Sequence, residues 1–185
     1  YQLEKFSKAL GGWDYAYSSS FPFAGGSYGN GIVTQGTIIH REKVLLPMSD
    51  GVEQRSMMVV ETEDYVVACT HLDHKGNDAR VDQARFIDSW MREKYGKSAK
   101  PVFLCGDMNA IPDSPAVKAL LENWTLLSVT DSTWPSHLPA KCIDYIFCLD
   151  SQGRYHILDS KVISFPEVSQ LSDHLPVMVK IEYKN

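Results

Sequence analysis

The sequence lacks any long hydrophobic run. Its longest apolar stretches are short, for example residues 44–48 and 66–69. A helix needs about 20 predominantly apolar residues to cross a bilayer. We therefore predict no membrane-spanning segment.

Cysteine is scarce, and the four cysteines are not arranged as metal ligands. They show no Cys-x-x-Cys pair and no histidine at zinc-ligand spacing, which makes a zinc site improbable. Three of them lie in β-rich apolar runs, where a free cysteine behaves as a small buried hydrophobic residue, and this interpretation is favoured over a disulfide framework. The cysteine count leaves the cellular compartment open.

An excess of positive charge is also missing. Lys and Arg number 18 against 23 Asp and Glu, a net charge of −5. This balance disfavours, without excluding, a protein that binds long nucleic acid mainly through phosphates. With 44% hydrophobic and 22% charged residues, the 185-residue chain has a globular composition. Its length predicts a single domain over residues 1–185.

Two hydrophobic periodicities divide the chain. A period near 3.6 predicts helices over 2–10 and 77–95, and Ser114-Pro115 is typical of a third helix start. Strand-like stretches cover 14–17, 31–40, 54–61, 65–71, 101–105, 143–149, 155–164 and 175–183. Because strands outnumber the helices between them, the pattern favours an α+β sandwich over a doubly wound parallel sheet.

Residues capable of chemistry recur at the ends of these strands. The set comprises His71, Asp107, Asn109, Asp144, Asp173 and His174. If the strands lie side by side, these side chains meet at one rim of the sandwich, and such a set suits metal-assisted hydrolysis. Each residue alone has a structural explanation, since Asp and Asn form turns and caps and a lone histidine is usually a surface residue. Their combination and order favour a site.

In that order the residues resemble the endonuclease/exonuclease/phosphatase superfamily, which includes DNase I, apurinic endonucleases and neutral sphingomyelinases. The matching motifs are Thr70-His71-Leu72-Asp73, Gly106-Asp107-Met108-Asn109, Ile143-Asp144-Tyr145-Ile146-Phe147, Ser172-Asp173-His174-Leu175-Pro176 and, more weakly, Tyr28-Gly29-Asn30. The resemblance extends from about Tyr28 to Tyr183.

The resemblance implies a four-layer α/β/β/α sandwich and Mg²⁺- or Mn²⁺-assisted hydrolysis of a phosphate ester by an in-line water. His174 would be the general base or the group that stabilises the phosphoryl oxygens, and Asp144 would orient it. Asp107 would position or deprotonate the water, and Asn109 would hold a phosphate oxygen. His71 would contact the phosphate or the leaving group, and Asp173 would help to hold the metal.

Two motifs of the superfamily are absent from the sequence: a strand ending in Asn, and a strand ending in Gln-Glu whose glutamate is the principal metal ligand. We therefore expect an incomplete domain that lacks an N-terminal strand-helix-strand portion. Two interpretations follow, a fragment of an active phosphoesterase and an inactive remnant that binds a ligand or partner through the same cleft. The missing strands would leave a sheet edge uncovered and open to self-association.

Three further residues are weaker substrate-binding candidates. Asn30 belongs to the Tyr-Gly-Asn stretch, Arg80 lies on the long helix, and Trp134 lies in a loop that could cover the cleft and stack on a base or sugar. Each is as readily a surface or packing residue. The sequence leaves the substrate open among nucleic acid, phospholipid, inositol phosphate and small phosphodiesters.

Overall fold

The computed structural model describes residues 2–149 and 153–183. Its helices are α1 (Gln2–Ala9), α2 (Asn77–Tyr95), α3 (Pro115–Leu121) and α4 (Val168–Leu171). Its strands are β1 (Asp14–Phe23), β2 (Gly26–Thr34), β3 (His40–Leu45), β4 (Ser56–Glu61), β5 (Val66–His71), β6 (Val102–Asp107), β7 (Thr125–Leu126), β8 (Asp144–Cys148), β9 (Tyr155–Val162) and β10 (Val177–Tyr183). Among the helices of this described part, none combines the length and apolar character needed to cross a membrane.

A six-stranded sheet with the order β3-β4-β5-β6-β8-β7 forms the centre of the fold. Its described strand pairs are antiparallel except β5 with β6, which run parallel and are joined by helix α2. A parallel pair needs such a crossover connection because the chain must return to the same end of the sheet. The carboxyl ends of β5 and β6 therefore lie side by side.

One face of this sheet is covered by α2 and α3. Ile87 and Met91 of α2 and Leu120 of α3 are fully buried against Val59 and Phe147 of the sheet. The apolar residues that repeat at 3.6-residue spacing along α2 thus belong to the main core, as the periodicity predicts. Each such side chain stabilises the fold by about 1.5–3 kcal/mol relative to an exposed one.

The other face is covered by two separate hairpins, β1 with β2 and β9 with β10. Ala16 and Ile32 of the first hairpin pack on Met58 and Val60 of β4, because alternate residues of that strand point to opposite faces. Helix α1 packs outside this hairpin. The layers are therefore helices, sheet, hairpins and helix, as in the expected α/β/β/α sandwich.

A groove of about 490 Å³ separates the two hairpins. Strand β2 lines one side and β10 the other, with Val67, Phe103 and Ile146 of the central sheet at its base. In the described chain, β2 and β10 each have only one hydrogen-bonded neighbour. Self-association through these edges stays a prediction.

The structure corrects some sequence-based boundaries. The stretch 31–40 is not one strand, since β2 ends at Thr34 and β3 begins at His40. Strand β1 continues past Tyr17 to Phe23. Ser18 and Ser20 face the central sheet, where their hydroxyls lie 2.8 and 2.6 Å from that of Ser56, while Ser19 between them contacts Ser27 of β2. Strand β7 and helix α4 are too short for any periodicity to predict.

Gly106 at the end of β6 lies where no other residue fits. Its φ is +138°, and a Cβ there would lie 1.9 Å from the carbonyl oxygen of Thr70 on β5. We expect Gly106→Ala to lower the free energy of unfolding by about 3 kcal/mol or more, measured by urea denaturation. Gly11→Ala is the control, because Gly11 also has a positive φ but open space around it, so only a backbone cost of about 1–2 kcal/mol applies. Equal losses in the two variants would contradict the clash.

Candidate active site

The predicted strand-end residues meet at one rim of the central sheet. His71 ends β5 and pairs in register with Asp107, which ends the parallel strand β6. Asp107 in turn pairs with Asp144, the first residue of the antiparallel strand β8. Strands β5 and β6 are parallel, and β8 is antiparallel to β6. The carboxyl ends of β5 and β6 and the amino end of β8 therefore lie at the same edge of the sheet, together with these three side chains.

His174 reaches this edge from the loop before β10. Its Nδ1 lies 2.8 Å from Oδ2 of Asp144, and its Nε2 lies 3.9 Å from Oδ2 of Asp107. One ligand-capable atom from each of Asp107, Asp144 and His174 lies within 4.8 Å of the others. Their side chains are 12%, 19% and 25% exposed, so the cluster faces a cleft with limited access to water.

The environment shifts the proton affinities of Asp107 and His174 in ways that suit proton transfer. Burial raises the pKa of Asp107 to about 6; the backbone N–H of Asn109 opposes this rise, and the charge of Asp144 adds to it. The hydrogen bond with Asp144 raises the pKa of His174 against the opposing effect of burial. A carboxyl group and an imidazole whose pKa values are both raised therefore lie side by side.

His71 is held on both ring nitrogens. Its Nε2 lies 3.2 Å from Oδ2 of Asp107, and its Nδ1 lies 3.1 Å from the hydroxyl of Tyr28. Burial, the charge of Arg55 and the neighbouring His174 lower the pKa of His71 to about 4. The ring is therefore neutral at neutral pH, which fits Nε2–H donating to Asp107 and Nδ1 accepting from Tyr28.

Asn109 lies in the loop after β6 with a φ of +47°. Its backbone N–H donates to Oδ1 of Asp107 (2.7 Å), and its side-chain Nδ2 donates to the carbonyl of Leu72 (2.9 Å). Asparagine tolerates this left-handed conformation better than most residues. These bonds fix the Asp107 carboxylate and hold the Asn109 amide at the rim.

Asp73, the last residue of the histidine motif, is fully buried and supports the loop behind the site. Its carboxylate accepts backbone N–H bonds from Val52, Lys75 and Gly76 at 2.7–3.0 Å. Burial acts to raise the pKa of Asp73, but these N–H groups outweigh it and lower the pKa below the ordinary value of 3.8. The role of Asp73 is structural.

We expect Asp73→Asn to lower the free energy of unfolding at pH 7 by about 2–3 kcal/mol. Because the folded-state pKa is lowered, the carboxylate contributes its stability above pH 3.8 and loses it as the pH falls through the folded value. The difference between wild type and variant should therefore shrink at pH 3, as measured by urea denaturation at both pH values. Asp64→Asn, at an exposed position, should show no such difference.

A cavity of about 990 Å³ opens over the cluster. Arg80 and Trp134, two of the weaker candidates, line it together with His71, Asp107, Asn109 and His174. Arg80 donates to the carbonyl of Asp73 (3.0 Å), and the Lys141 ammonium lies 5.6 Å from the ring centre of Trp134. Contact of either residue with substrate stays a prediction.

Two predicted residues are not among the three potential ligands of the cluster. Asn30 does not line the cavity, because its Nδ2 donates to the carbonyl of Ser56 (2.7 Å). Asp173 lines the cavity, but its side chain is 81% exposed and its carboxylate lies 4.0 Å from Nε2 of His174. Within the described residues it does not join the set of three potential ligands.

Two further residues at the site lie outside the sequence motifs. The hydroxyl of Thr133 is buried and donates to Oδ2 of Asp144 (2.6 Å), fixing the carboxylate that holds His174. Arg55, 3% exposed, pairs with Glu53 (2.9 Å) beneath the ring of Tyr28. The sequence alone marks Arg55 as a charged residue at the start of a β-rich run that could reach a phosphate, although such a residue more often lies at the surface. Thr133 carries no such signal.

The donor set fits a divalent cation. Carboxylate oxygens suit Mg²⁺ and Mn²⁺, while imidazole suits Zn²⁺, copper, iron and nickel better. Asp107 and Asp144 are therefore the carboxylate ligands that this cluster offers to a divalent cation. His174 is its third ligand-capable residue.

The fold and the cluster at the rim of the central sheet agree with the family that the sequence matches. Residues 2–174 match the Endonuclease/Exonuclease/phosphatase family, and the chain belongs to that family. No curated protein matches the sequence.

Solved structures of the same fold include a mannosyl-6-phosphatase, a 2′,3′-cyclic phosphatase and the human nocturnin catalytic domain. A mannosyl-6-phosphatase of Bacteroides thetaiotaomicron VPI-5482 is 21% identical with a TM-score of 0.77, over 98% of this chain and 81% of that one. The human nocturnin catalytic domain, solved with sulfate, is 15% identical with a TM-score of 0.74, over 98% and 76%. ANGEL2, a 2′,3′-cyclic phosphatase, is 14% identical with a TM-score of 0.75, over 97% and 76%. At these identities the likeness establishes the fold.

Proposed function

We propose that this protein is a phosphoesterase that hydrolyses its substrate by in-line attack of water with the help of Mg²⁺ or Mn²⁺. The observation that carries the proposal is the cluster of Asp107, Asp144 and His174 within 4.8 Å at the rim of the sheet. Family membership supports hydrolysis of a phosphate ester as the class of reaction.

Asp107 is the group that we assign to the attacking water. Without a bound cation, burial raises the pKa of the Asp107 carboxyl to about 6, so this carboxylate accepts a proton more readily than an exposed one. The bonds from Asn109 and His71 hold both of its oxygens in fixed directions. This arrangement orients the lone pair that would receive the proton of the water.

His174 and Asp144 act together in the proposed mechanism. The carboxylate at Nδ1 fixes the ring orientation and raises the pKa of His174, and we assign its Nε2–H as a donor toward the cavity. Such a donor stabilises the charge that develops on the phosphoryl oxygens in the transition state. Thr133 keeps Asp144 in place.

A divalent ion bound at Asp107 and Asp144 would neutralise charge on the non-bridging phosphate oxygens. The protein supplies the other phosphate contact that we assign, the side-chain amide of Asn109. An amide carries two N–H groups, and the bond to Leu72 uses one of them. We assign the other to a phosphate oxygen.

The proposal is tested by incubating the chain with an aryl phosphomonoester and an aryl phosphodiester. Release of the aryl alcohol is followed with Mg²⁺, with Mn²⁺ and in EDTA. We expect turnover that requires the metal, and the preferred ester identifies the substrate class. Turnover that is unaffected by EDTA would contradict the assigned metal dependence.

A second interpretation is a protein that binds a phosphate ester through this cleft without hydrolysing it. The observation that favours it is that no glutamate among residues 2–149 and 153–183 joins the three-residue cluster, although the resemblance predicts a glutamate ligand. Phosphate and Mn²⁺ that bind by calorimetry, without turnover of either aryl ester, would favour this interpretation. The same assay on a version extended at its amino end tests the prediction that the glutamate belongs to an upstream segment.

A further inference from the structure

Three aromatic rings form one side of the cavity, and we call Phe21, Phe23 and Tyr28 the aromatic wall. They lie at the turn end of the hairpin of β1 and β2, where Phe21 pairs with Tyr28 and Phe23 with Gly26. The rings of Phe21 and Tyr28 are stacked with centres 5.1 Å apart, and Phe23 meets both edge-on at 6.4 and 6.0 Å. The wall is therefore a packed unit.

The wall is anchored to the reacting groups through Tyr28. The hydroxyl of Tyr28 lies 3.1 Å from Nδ1 of His71, whose other nitrogen contacts Asp107. The guanidinium of Arg55 lies 5.8 Å from the centre of the Tyr28 ring. The wall consequently begins one side chain away from the carboxylate assigned to the attacking water.

Folding does not account for the outermost ring. Phe23 is 61% exposed and belongs to neither buried core cluster. Exposed aromatic rings that line a cavity are typical of binding surfaces, because a ligand ring that stacks on them removes apolar surface from water. The two neighbouring aromatic rings already hold the ring of Phe23 in position before a ligand arrives.

We propose that the aromatic wall binds a ring in the alcohol portion of the substrate, so that the protein prefers phosphate esters of ring-bearing alcohols. This inference rests on the proposed function and names its substrate class. The face of a nucleobase and the C–H face of a sugar both offer an apolar surface that can stack on an aromatic ring. The acidic net charge favours a small ester over a long nucleic acid.

The test compares kcat/KM for adenosine 5′-monophosphate, mannose 6-phosphate and glycerol 3-phosphate, each with Mn²⁺. We expect Phe23→Ala to lower kcat/KM by about tenfold for at least one ring-bearing ester, mainly through KM. The value for glycerol 3-phosphate should stay within about twofold. The ester with the larger loss identifies the ring as a base or as a sugar, and Phe23→Tyr should restore the wild-type value.

Phe6→Ala is the matched control, because Phe6 is 59% exposed and lies outside the cavity. Equal losses for all three esters in Phe23→Ala, or no loss for either ring-bearing ester, would overturn the inference. The proposed function fails only if neither aryl ester is hydrolysed. If none of these three monoesters is turned over, calorimetric binding of the same three esters still decides the inference. In that case we expect a ring-bearing ester to bind more weakly to Phe23→Ala than to wild type, and Phe6→Ala to bind it as wild type does.

Discussion

His174→Asn is expected to lower kcat by about 1,000-fold while leaving KM within a few-fold of wild type. The imidazole is the group we assign to the charge that develops at the phosphoryl oxygens, so its loss acts on the transition state more than on substrate binding. Steady-state kinetics with a saturating aryl ester and Mn²⁺ would measure the effect. The preserved circular dichroism spectrum would show that folding is intact.

His156→Asn provides the matched control, because His156 is exposed on β9 and does not line the cavity. Its kcat should equal that of wild type. The Asp144→Asn variant extends the test, since Asp144 acts through the ring that it holds at 2.8 Å. We expect the double variant to lose little more than either single variant, because residues that act as a unit are not additive. Additive losses would contradict the assigned pairing.

Asp107→Asn is expected to lower kcat by about 100- to 1,000-fold without lowering the stability of the fold. The amide cannot accept the proton of the water, but it keeps the shape of the side chain and an acceptor oxygen for the N–H of Asn109. Because the folded state raises the pKa of Asp107, stability is lost as the pH rises from about 4 towards 6, and the ionised group costs stability above that range. The neutral amide of the variant does not ionise, so the variant does not lose this stability.

Urea denaturation in EDTA at pH 8 measures the second part of this prediction. The free energy of unfolding of Asp107→Asn should equal or exceed that of wild type, while at pH 4 the two should converge. Asp113→Asn, at an exposed position outside the cavity, should change neither rate nor stability. A variant with full activity, or one that loses both activity and stability, would contradict the role of Asp107.

Periodicity predicts the parts of the fold whose burial is regular. Helix α2 begins and ends as expected, because Ala84, Ile87 and Met91 repeat at helical spacing along its buried side. The same helix also buries Gln83, which donates to the carbonyl of Pro47 and accepts from the N–H of Asp73. A polar residue with such partners carries no hydrophobic signal. Its burial depends on contacts between segments distant in sequence.

The site was predictable where its residues follow strands and unpredictable where loops return to them. His71, Asp107 and Asp144 are brought together by the register of neighbouring strands, and the motifs mark all three. Thr133 reaches Asp144 because the loop before β8 folds back on itself, with the N–H of Thr133 donating to the carbonyl of Lys141. The aromatic wall also depends on tertiary structure, since Phe23 is 84 residues from Asp107 in the sequence.

The cavity is shared between two layers of the sandwich. The groups assigned to the reaction come from the central sheet and its loops, whereas Phe21 and Phe23 belong to a hairpin with its own turn and its own hydrogen-bonded partner. Evolution can therefore change Phe23 and the turn beyond the pair of Phe21 and Tyr28 while the contact between Tyr28 and His71 is kept. A turn grafted from a relative onto this pair is accordingly a direct way to retarget this protein to a different alcohol.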